Sequence, residues 1–312
     1  MKSNGPFFSI VITTFNRGIS VIRAIESCIN QSFQDFEILV VDDCSSDSTV
    51  NLVNSKHFNK LCIISHKKNM GNSAARHTGS LNAKGQWIIN LDSDHAFEDG
   101  ALDFFFNHAK SIEESVGLIG ASFRFDNGRI SPSFVPKDKI DYIGRIKWVE
   151  DEGGNDYVCC YRRALYDYVQ WPSQNRVGDG IFQLNLAKIT DAIIFPDVVA
   201  MQYTEDDNSQ SRYTGLVGVK KIIFQANDRL WQENEIINIH GDMLNKYAKN
   251  TYKDLILKQA LYYFLTNKKV SGLKSIIKFL GMNPYSIKAW AILLFGFNRY
   301  LLAFTQMIYR SK

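Results

Sequence analysis

The stretch Trp87-Ile88-Ile89-Asn90-Leu91-Asp92-Ser93-Asp94-His95 holds an apolar run that ends in two carboxylates separated by one residue. A short apolar run bounded by Gly85 and by acidic residues is typical of a β-strand buried on both faces. In an open α/β sheet, ligands bind outside the carboxyl ends of the strands. We therefore expect Asp92 and Asp94 at a binding site, where their oxygens suit Mg²⁺ or Mn²⁺. Two plainer interpretations stay open: both acids are solvated turn residues, or Asp94 caps a following helix.

The first third of the chain alternates between two kinds of apolar pattern. Residues 8–14, 38–41 and 61–64 are β-branched and apolar, which predicts three further strands. Between them, apolar residues recur at helical spacing, in a helix capped by Ser20 and in a second helix over residues 73–82. Strands that alternate with helices predict a parallel sheet with helices on both faces.

The second half of the chain has weaker patterning. Asp99 can cap a helix, residues 116–125 predict a strand, and Asn127-Gly128 is a hairpin turn signal. Residues 131–156 contain two prolines and a glycine pair, which predict loops over a site. Helical spacing returns in three places: residues 163–170, the segment after Asp179, and the segment from about Leu216 onward with a boundary at Pro284.

Composition excludes several classes of protein. With 312 residues, 45% hydrophobic and 22% charged, the chain has an ordinary globular composition and room for one large domain or a domain with an appendage. A net charge of +4 is too small to indicate a nucleic-acid partner. The five cysteines are odd in number and form no C-x-x-C pair, and no leader pattern is visible. We therefore expect a cytoplasmic protein without a disulfide framework.

Four segments in order resemble the motifs of the family 2 glycosyltransferases, which have the GT-A fold. The family motifs are S-V-I-x-P-x-Y-N, V-D-D-x-S-x-D-x-T, N-x-G-x-x-x-A-R-N and L-D-x-D. Their equivalents here are residues 9–17, 41–49, 69–77 and 91–94. The resemblance covers roughly the first two thirds of the chain, and four ordered motifs are far more specific than one. Three positions depart from the family pattern: Thr14 replaces proline, Phe15 replaces tyrosine and His77 replaces asparagine.

The resemblance implies an α/β fold, a GT-A-type nucleotide-sugar-binding α/β/α sandwich with a mostly parallel central sheet. Residues 1–215 would form the catalytic domain, with a nucleotide-sugar-binding half at 1–125 and an acceptor half at 126–215. Residues 216–312 would form a helical C-terminal region.

The resemblance also implies a donor site at the strand ends. Asp43 would accept the imide N–H of uracil, because an ionised carboxylate is only an acceptor; its plainer role is to cap a turn. Arg76, unfavourable near a helix N-terminus, would face the diphosphate; a plain surface arginine is the competing interpretation. Asp94, and less directly Asp92, would hold Mn²⁺ or Mg²⁺. The remaining expected donor-site residues are Thr13, Phe15, Arg17 and Ser93.

The acceptor site is less well defined. Asp179, in Arg176-Val177-Gly178-Asp179-Gly180, stands where the family has a catalytic base, although the family's usual Glu-Asp is Gly-Asp here. A helix N-cap is the alternative role of Asp179. Glu205 and Asp206 lie where relatives often place a histidine near the metal, and are weak candidates. Trp148 and residues 150–156 would contact the acceptor or form a solvated loop.

The C-terminal residues 285–309 are apolar and aromatic with basic residues at the end. They predict either a helix in the membrane interface or a buried packing helix. The resemblance implies an inverting, metal-dependent hexosyltransferase or N-acetylhexosaminyltransferase. It would move a sugar from a nucleotide-sugar donor, favoured to be a UDP-sugar, to a saccharide or lipid-linked saccharide of a bacterial surface polysaccharide. It would act at the cytoplasmic face of the membrane, with peripheral contact through the C-terminal helices.

Two other functions remain open at this stage. A D-x-D motif after an apolar strand also occurs in haloacid dehalogenase-type phosphatases. In that class, however, the motif opens the fold, and Thr or Val stands two places after the second aspartate, where this chain has Ala96. A non-catalytic sugar-binding protein is the other alternative.

Overall fold

The computed structural model describes residues 5–152, 156–173, 175–204 and 215–303. These residues form two compact units. The first consists of Met1–Trp148 and Gly154–Asn208, and the second of Val149–Gly153 and Ser209–Lys312. Each unit is held together mainly by its own core.

The first unit contains nine strands and six helices in the described residues. The strands are β1 (Phe8–Thr14), β2 (Phe36–Asp42), β3 (Leu61–Ser65), β4 (Trp87–Asp92), β5 (His95–Phe97), β6 (Val116–Phe125), β7 (Ile130–Ser131), β8 (Val158–Arg162) and β9 (Asp191–Gln202). The helices are α1 (Gly18–Ile29), α2 (Thr49–Ser55), α3 (Asn72–Asn82), α4 (Ala101–Ser111), α5 (Tyr142–Glu152), which continues into the second unit, and α6 (Asp179–Ala187).

The strands form one mixed sheet in the order β3-β2-β1-β4-β8-β6-β9-β5, with β7 paired to β6. The half built from β1 to β4 is parallel, as the alternating pattern predicted. Beyond β4, the strand β8 is antiparallel to both of its neighbours. The register pairs Thr13 with Asp92 and Thr14 with Asp42. The carboxyl ends of β1, β2 and β4, and the motif residues on them, therefore lie side by side.

Helices cover both faces of this sheet because strand side chains alternate between the faces. Phe8, Ile10 and Ile12 of β1 pack on one face with residues of α1 and α4, such as Ile25 and Phe105. On the opposite face, Val11 and Ile88 join Tyr161, Trp171 and Phe182 in a second cluster. The α/β sandwich expected from the sequence is confirmed.

Several local predictions are wrong. The proline-containing region 131–156 holds helix α5, because Pro132 and Pro136 precede this helix instead of interrupting it. Residues 163–170 contain only a 3₁₀ helix, Arg163–Asp167. Neither Ser20 nor Asp99 is a helix cap: α1 starts at Gly18, and α4 follows Gly100, whose φ of 78° is in the left-handed region.

Strands β8 and β9 were not predicted. Strand β8 has only five residues, and the exposed pair Pro196-Asp197 interrupts the apolar residues of β9, so neither shows a clear period of two.

The second unit is helical. Its helices are α7 (Gly215–Tyr247), α8 (Lys249–Leu265), α9 (Lys269–Met282) and α10 (Ile287–Phe295). Side chains such as Leu230, Ile256 and Phe264 are almost fully buried in its core. Pro284 separates α9 from α10, as expected, since the residue before a proline disfavours the helical conformation. Among the residues described, no helix combines the length and apolarity that crossing a membrane requires.

Candidate active site

The D-x-D segment lies at the carboxyl end of β4. Asp92 is the last residue of β4, and β5 begins directly after Asp94, so a helix-capping role for Asp94 is wrong. Asp94 accepts hydrogen bonds from Arg17 Nη1 at 2.9 Å and from His95 Nδ1 at 3.0 Å. Burial opposes ionisation of Asp94, but the His95 ring and the Arg17 guanidinium together hold the pKa of its carboxyl below its usual range. Asp94 is therefore an enclosed anion, unlike a solvated turn residue.

The side chains at this strand end form a set of donors that fits a divalent cation. Among the described residues, Asp92, Asp94 and His95 are the one group of three potential metal ligands, with ligand atoms within 4.8 Å of one another. Carboxylate oxygens suit Mg²⁺ and Mn²⁺, whereas imidazole favours a transition metal. His95 was missed in the sequence analysis, although its position directly after the D-x-D motif was a usable signal. Its ring packs edge-on against Phe123 with centroids 4.7 Å apart, which fixes its position.

Arg76 connects two carboxylates that are far apart in sequence. From helix α3, its Nη2 donates to Asp92 at 2.7 Å and its Nη1 donates to Asp179. Its guanidinium also lies 5.0 Å from the ring centre of Trp171, a cation–π distance. Burial would lower the pKa of Arg76, but Asp92 outweighs this effect and the pKa is raised. Arg76 is therefore an enclosed cation at the site, and the plain surface-arginine interpretation is wrong.

Asp179 is brought to this site by the start of helix α6. The cap of α6 is Gly178, and Asp179 is the first helical residue, so the N-cap interpretation of Asp179 is wrong. Its side chain is 57% exposed, so one side faces solvent while Arg76 holds the other. The departure from Glu-Asp has a steric reason. A Cβ on Gly178 would lie 2.5 Å from Ser73 Oγ and 2.7 Å from Pro172 Cγ, which leaves no room for a glutamate.

Asp43 follows β2, and its carboxylate is bound by the loop that connects β3 to α3. Its Oδ1 accepts from the Met70 amide and from His66 Nδ1, both at 2.8 Å, and its Oδ2 accepts from the Gly71 amide at 2.7 Å. These donors use three of the roughly four lone-pair positions of a carboxylate. Asp43 thus holds this loop, and recognition of uracil by its remaining lone pair stays a prediction. Asp42, next to it, instead accepts from the amide of Ser45.

The other expected donor-site residues surround the same strand ends. Thr13 is buried and donates to Asn72 Oδ1 at 2.6 Å. Phe15 and Arg17 are half-buried just after β1, and the Arg17 side chain reaches Asp94. Ser93 is only 3% exposed between the two aspartates. The four residues are thus clustered at the site, while their contacts with a donor stay predictions.

Two of the expected acceptor residues, Trp148 and Glu150, lie on helix α5. Trp148 is 5% exposed and packs in the second core cluster, with its indole N–H donating to the Phe134 carbonyl at 3.2 Å. Glu150 belongs to the second unit, where it accepts from the amides of Asn250 and Thr251 at the start of α8. The solvated-loop interpretation is therefore wrong for both residues, whereas their contact with an acceptor stays a prediction. Glu205 and Asp206 fall outside the described residues.

Asp156 is a further acid near the D-x-D segment, and the sequence placed it only within a broad acceptor stretch. The antiparallel pairing of Asn90 with Cys159 brings the residues before β8 alongside the end of β4. Asp156 is exposed, yet partial desolvation by the surrounding protein raises the pKa of its carboxyl, and the charge of Asp92 adds to this effect. Arg76 and His95 act in the opposite direction. Asp156 and Asp92 are 64 residues apart in the sequence, so their proximity becomes visible only through the pairing of β8 with β4.

Comparison with known proteins identifies the family. The family model described as "Glycosyl transferase family 2" matches residues 9–167, more than half of the chain. TarP of Staphylococcus aureus strain N315, a poly(ribitol-phosphate) β-N-acetylglucosaminyltransferase, is 35% identical over 132 residues, 41% of this chain and 40% of that protein. The GalNAc(5)-diNAcBac-PP-undecaprenol β-1,3-glucosyltransferase of Campylobacter jejuni is 25% identical over 193 residues, 59% of this chain and 60% of that protein. The chain thus spans less than two thirds of the length of these curated relatives.

Solved structures show the same fold at low identity. Residues 1–349 of S. aureus TarS in complex with UDP-GlcNAc align with a TM-score of 0.58 and 17% identity, over 90% of this chain and 93% of that one. The mannosyltransferase PcManGT of Pyrobaculum calidifontis, in complex with GDP-Man and Mn²⁺, aligns with a TM-score of 0.58 and 16% identity, over 99% and 88% of the two chains. The fold is the GT-A fold. Four ordered motifs, their assembly at one edge of the sheet and the match over residues 9–167 agree: this chain belongs to the family 2 glycosyltransferases.

Proposed function

We propose that the protein transfers one hexose or N-acetylhexosamine from a UDP-sugar to a saccharide hydroxyl, with inversion at the anomeric carbon. The observation that carries this proposal is the grouping of Asp92, Asp94 and Asp179 around Arg76 and Arg17 at one edge of the sheet. The two arginines suit a diphosphate, and an exposed carboxylate beside them suits a hydroxyl that must lose its proton. Family membership supports the reaction class.

Asp179 is proposed as the general base. An acceptor hydroxyl is far less acidic than a carboxylic acid, so its proton moves to Asp179 only as the new bond to the anomeric carbon forms. Arg76 holds one Asp179 oxygen, which orients the carboxylate and leaves its solvent-facing side for the acceptor. A single displacement from the face opposite the diphosphate inverts the anomeric configuration.

Two arginines are proposed to bind the donor diphosphate. The guanidinium groups of Arg17 and Arg76 now pair with Asp94 and Asp92, respectively. A diphosphate arriving at this edge would compete with those carboxylates for the two cations. Asp92, Asp94 and His95 would hold Mn²⁺ or Mg²⁺, which, when bound, supplies positive charge to the departing diphosphate. The imidazole of His95 favours Mn²⁺ of the two.

The acceptor is proposed to be a saccharide of a bacterial surface glycan, free or attached to a lipid carrier. The printed names of the two curated relatives describe transfer to a poly(ribitol phosphate) and to an undecaprenol-linked glycan, respectively. A lipid-linked acceptor would place the enzyme at the cytoplasmic face of a membrane, and we propose the C-terminal helices as the peripheral contact.

The test is UDP release from UDP-glucose and UDP-N-acetylglucosamine in the presence of Mn²⁺ and a panel of oligosaccharide acceptors. Asp179→Asn keeps the shape of the side chain but removes the basic lone pair, so turnover should fall about 10² to 10⁴-fold. UDP affinity, measured by calorimetry, and the melting temperature should be nearly unchanged, because Asp179 is more than half exposed. Asp138→Asn, an exposed loop variant, is the matched control.

Two outcomes would contradict the proposal. Turnover of Asp179→Asn near the wild-type value would exclude Asp179 as the base and direct attention to Asp156. Wild-type protein that binds UDP but releases none from either donor would favour a sugar-binding protein without transferase activity.

A further inference from the structure

The end of the helical unit has a one-sided charge composition. Asp254 is the last acidic residue, and the 58 positions from 255 to 312 hold nine lysines and arginines and no acid, although the whole chain carries 32 acids in 312 residues. The described part of this segment includes all of α9 and α10. A segment whose charged side chains are all positive attracts anionic partners and repels a second copy of itself.

Helix α9 exposes apolar and basic side chains on one face. Val270 and Ile277 are 68% and 64% exposed, and Lys274 and Lys278 are exposed with them. Their spacing of four, three and one residues places all four on the same side of an α-helix. The opposite side, with Ile276 and Phe279 among others, is buried against the rest of the unit.

Helix α10 has large apolar side chains on its exposed side. Ile287, Trp290 and Leu294 are 77%, 47% and 72% exposed, whereas Ala289 and Ile292 are 0% and 8% exposed. A surface helix of a globular protein normally carries polar residues on its solvent face. The exposed apolar residues continue beyond α10 at Phe297, Tyr300 and Leu301.

We propose that the exposed faces of α9 and α10 bind an anionic lipid surface. The basic residues fit anionic headgroups, and the exposed aliphatic and aromatic side chains fit the boundary between headgroups and acyl chains. The helices lie in the interface and do not cross it, in keeping with the absence of a spanning helix in the described residues. This inference rests on the peripheral contact included in the proposed function and deepens it by naming the surface and the class of lipid, and it requires no sugar donor.

The experiment is cosedimentation of the full chain with vesicles of phosphatidylcholine alone or with 30% phosphatidylglycerol. Binding should require phosphatidylglycerol and weaken between 100 mM and 500 mM NaCl. Lys288 of α10 is exposed, like Lys274 of α9. Each lysine near an anionic surface contributes a factor of about five, so Lys274→Gln/Lys288→Gln should weaken binding about 25-fold. Ile287→Ser/Leu294→Ser should weaken binding at both salt concentrations, since it removes apolar contact. Control variants are Lys137→Gln and Leu81→Ser, exposed residues of the first unit that should bind like wild type.

The possible results separate this inference from its alternatives and from the proposed function. Asp179→Asn should bind vesicles like wild type even if transfer is lost, so failure of the enzyme assay leaves this test intact. Equal binding to neutral and anionic vesicles, or no binding to either, overturns the inference. An oligomer in light scattering that Ile287→Ser/Leu294→Ser dissociates, without vesicle binding, would also overturn it and assign the surface to a second copy. Melting temperatures of the variants should stay near wild type because the changed side chains are exposed.

Discussion

We expect the buried carboxyl of Glu233 to lower the stability of the helical unit as pH rises. It lies on α7, is 5% exposed, and its Oε2 has no hydrogen-bond partner in the described structure. Burial raises the pKa of its carboxyl to about 7, against the attraction of Lys258 and Arg229. In the unfolded chain the same group titrates near 4.5. The folded state therefore prefers the protonated, neutral form.

The sign and the size of the effect follow from linkage. Well below pH 4.5 the Glu233 carboxyl is protonated in both the folded and the unfolded state, so its titration does not change the free energy of unfolding. Between pH 4.5 and 7 the unfolded state loses its proton first, so the free energy of unfolding falls, and it levels off above pH 7. At about 1.4 kcal/mol per pKa unit, the total loss is about 3 kcal/mol.

The perturbation is Glu233→Gln, which keeps the shape and removes the titration. Urea unfolding of the full chain, followed by circular dichroism at pH 4.5, 6 and 8, gives the stability difference between variant and wild type at each pH. That difference should shift by about 3 kcal/mol in favour of the variant between pH 4.5 and 8. Any constant effect of the amide cancels in this comparison. Glu235→Gln, a half-buried position on the same helix, is the control. A pH-independent difference for Glu233→Gln would refute the reasoning.

Two further predictions concern the donor and the metal. If Asp43 recognises uracil, UDP with Mn²⁺ should raise the melting temperature more than GDP or ADP, because a ligand that binds only the native state stabilises it; equal shifts would remove that role. Asp94→Asn should weaken Mn²⁺ binding, followed by electron paramagnetic resonance, by at least about tenfold, because one of two carboxylate ligands loses its charge. Unchanged Mn²⁺ binding would exclude Asp94 as a metal ligand, and full wild-type transfer in EDTA would show that Arg17 and Arg76 neutralise the diphosphate without a metal.

The first half of the fold and the D-x-D edge could be predicted from local sequence. The segments ending at Thr14, Asp42 and Asp92 are predominantly apolar, and a short run of this kind indicates a buried strand. Because the carboxyl ends of parallel strands share one edge of a sheet, the order of the motifs was enough to expect their acids together. The candidate base Asp179 was found by family resemblance alone.

The rest depended on contacts between residues distant in the chain. Nothing near Arg76 shows that it pairs with Asp179, 103 residues away, or that Gly178 must lack a side chain because it packs on Ser73. The approach of Asp156 to the site follows from the pairing of β8 with β4, and β8 is too short to show a strand period. Likewise, the apolar pattern of α10 is compatible with a buried helix, and its outward-facing side chains appear only once the rest of the unit is packed. Apolar periodicity therefore determined which segments become strands and helices, whereas tertiary packing decided which charges meet and which apolar faces remain exposed, because both depend on neighbours that the local sequence does not specify.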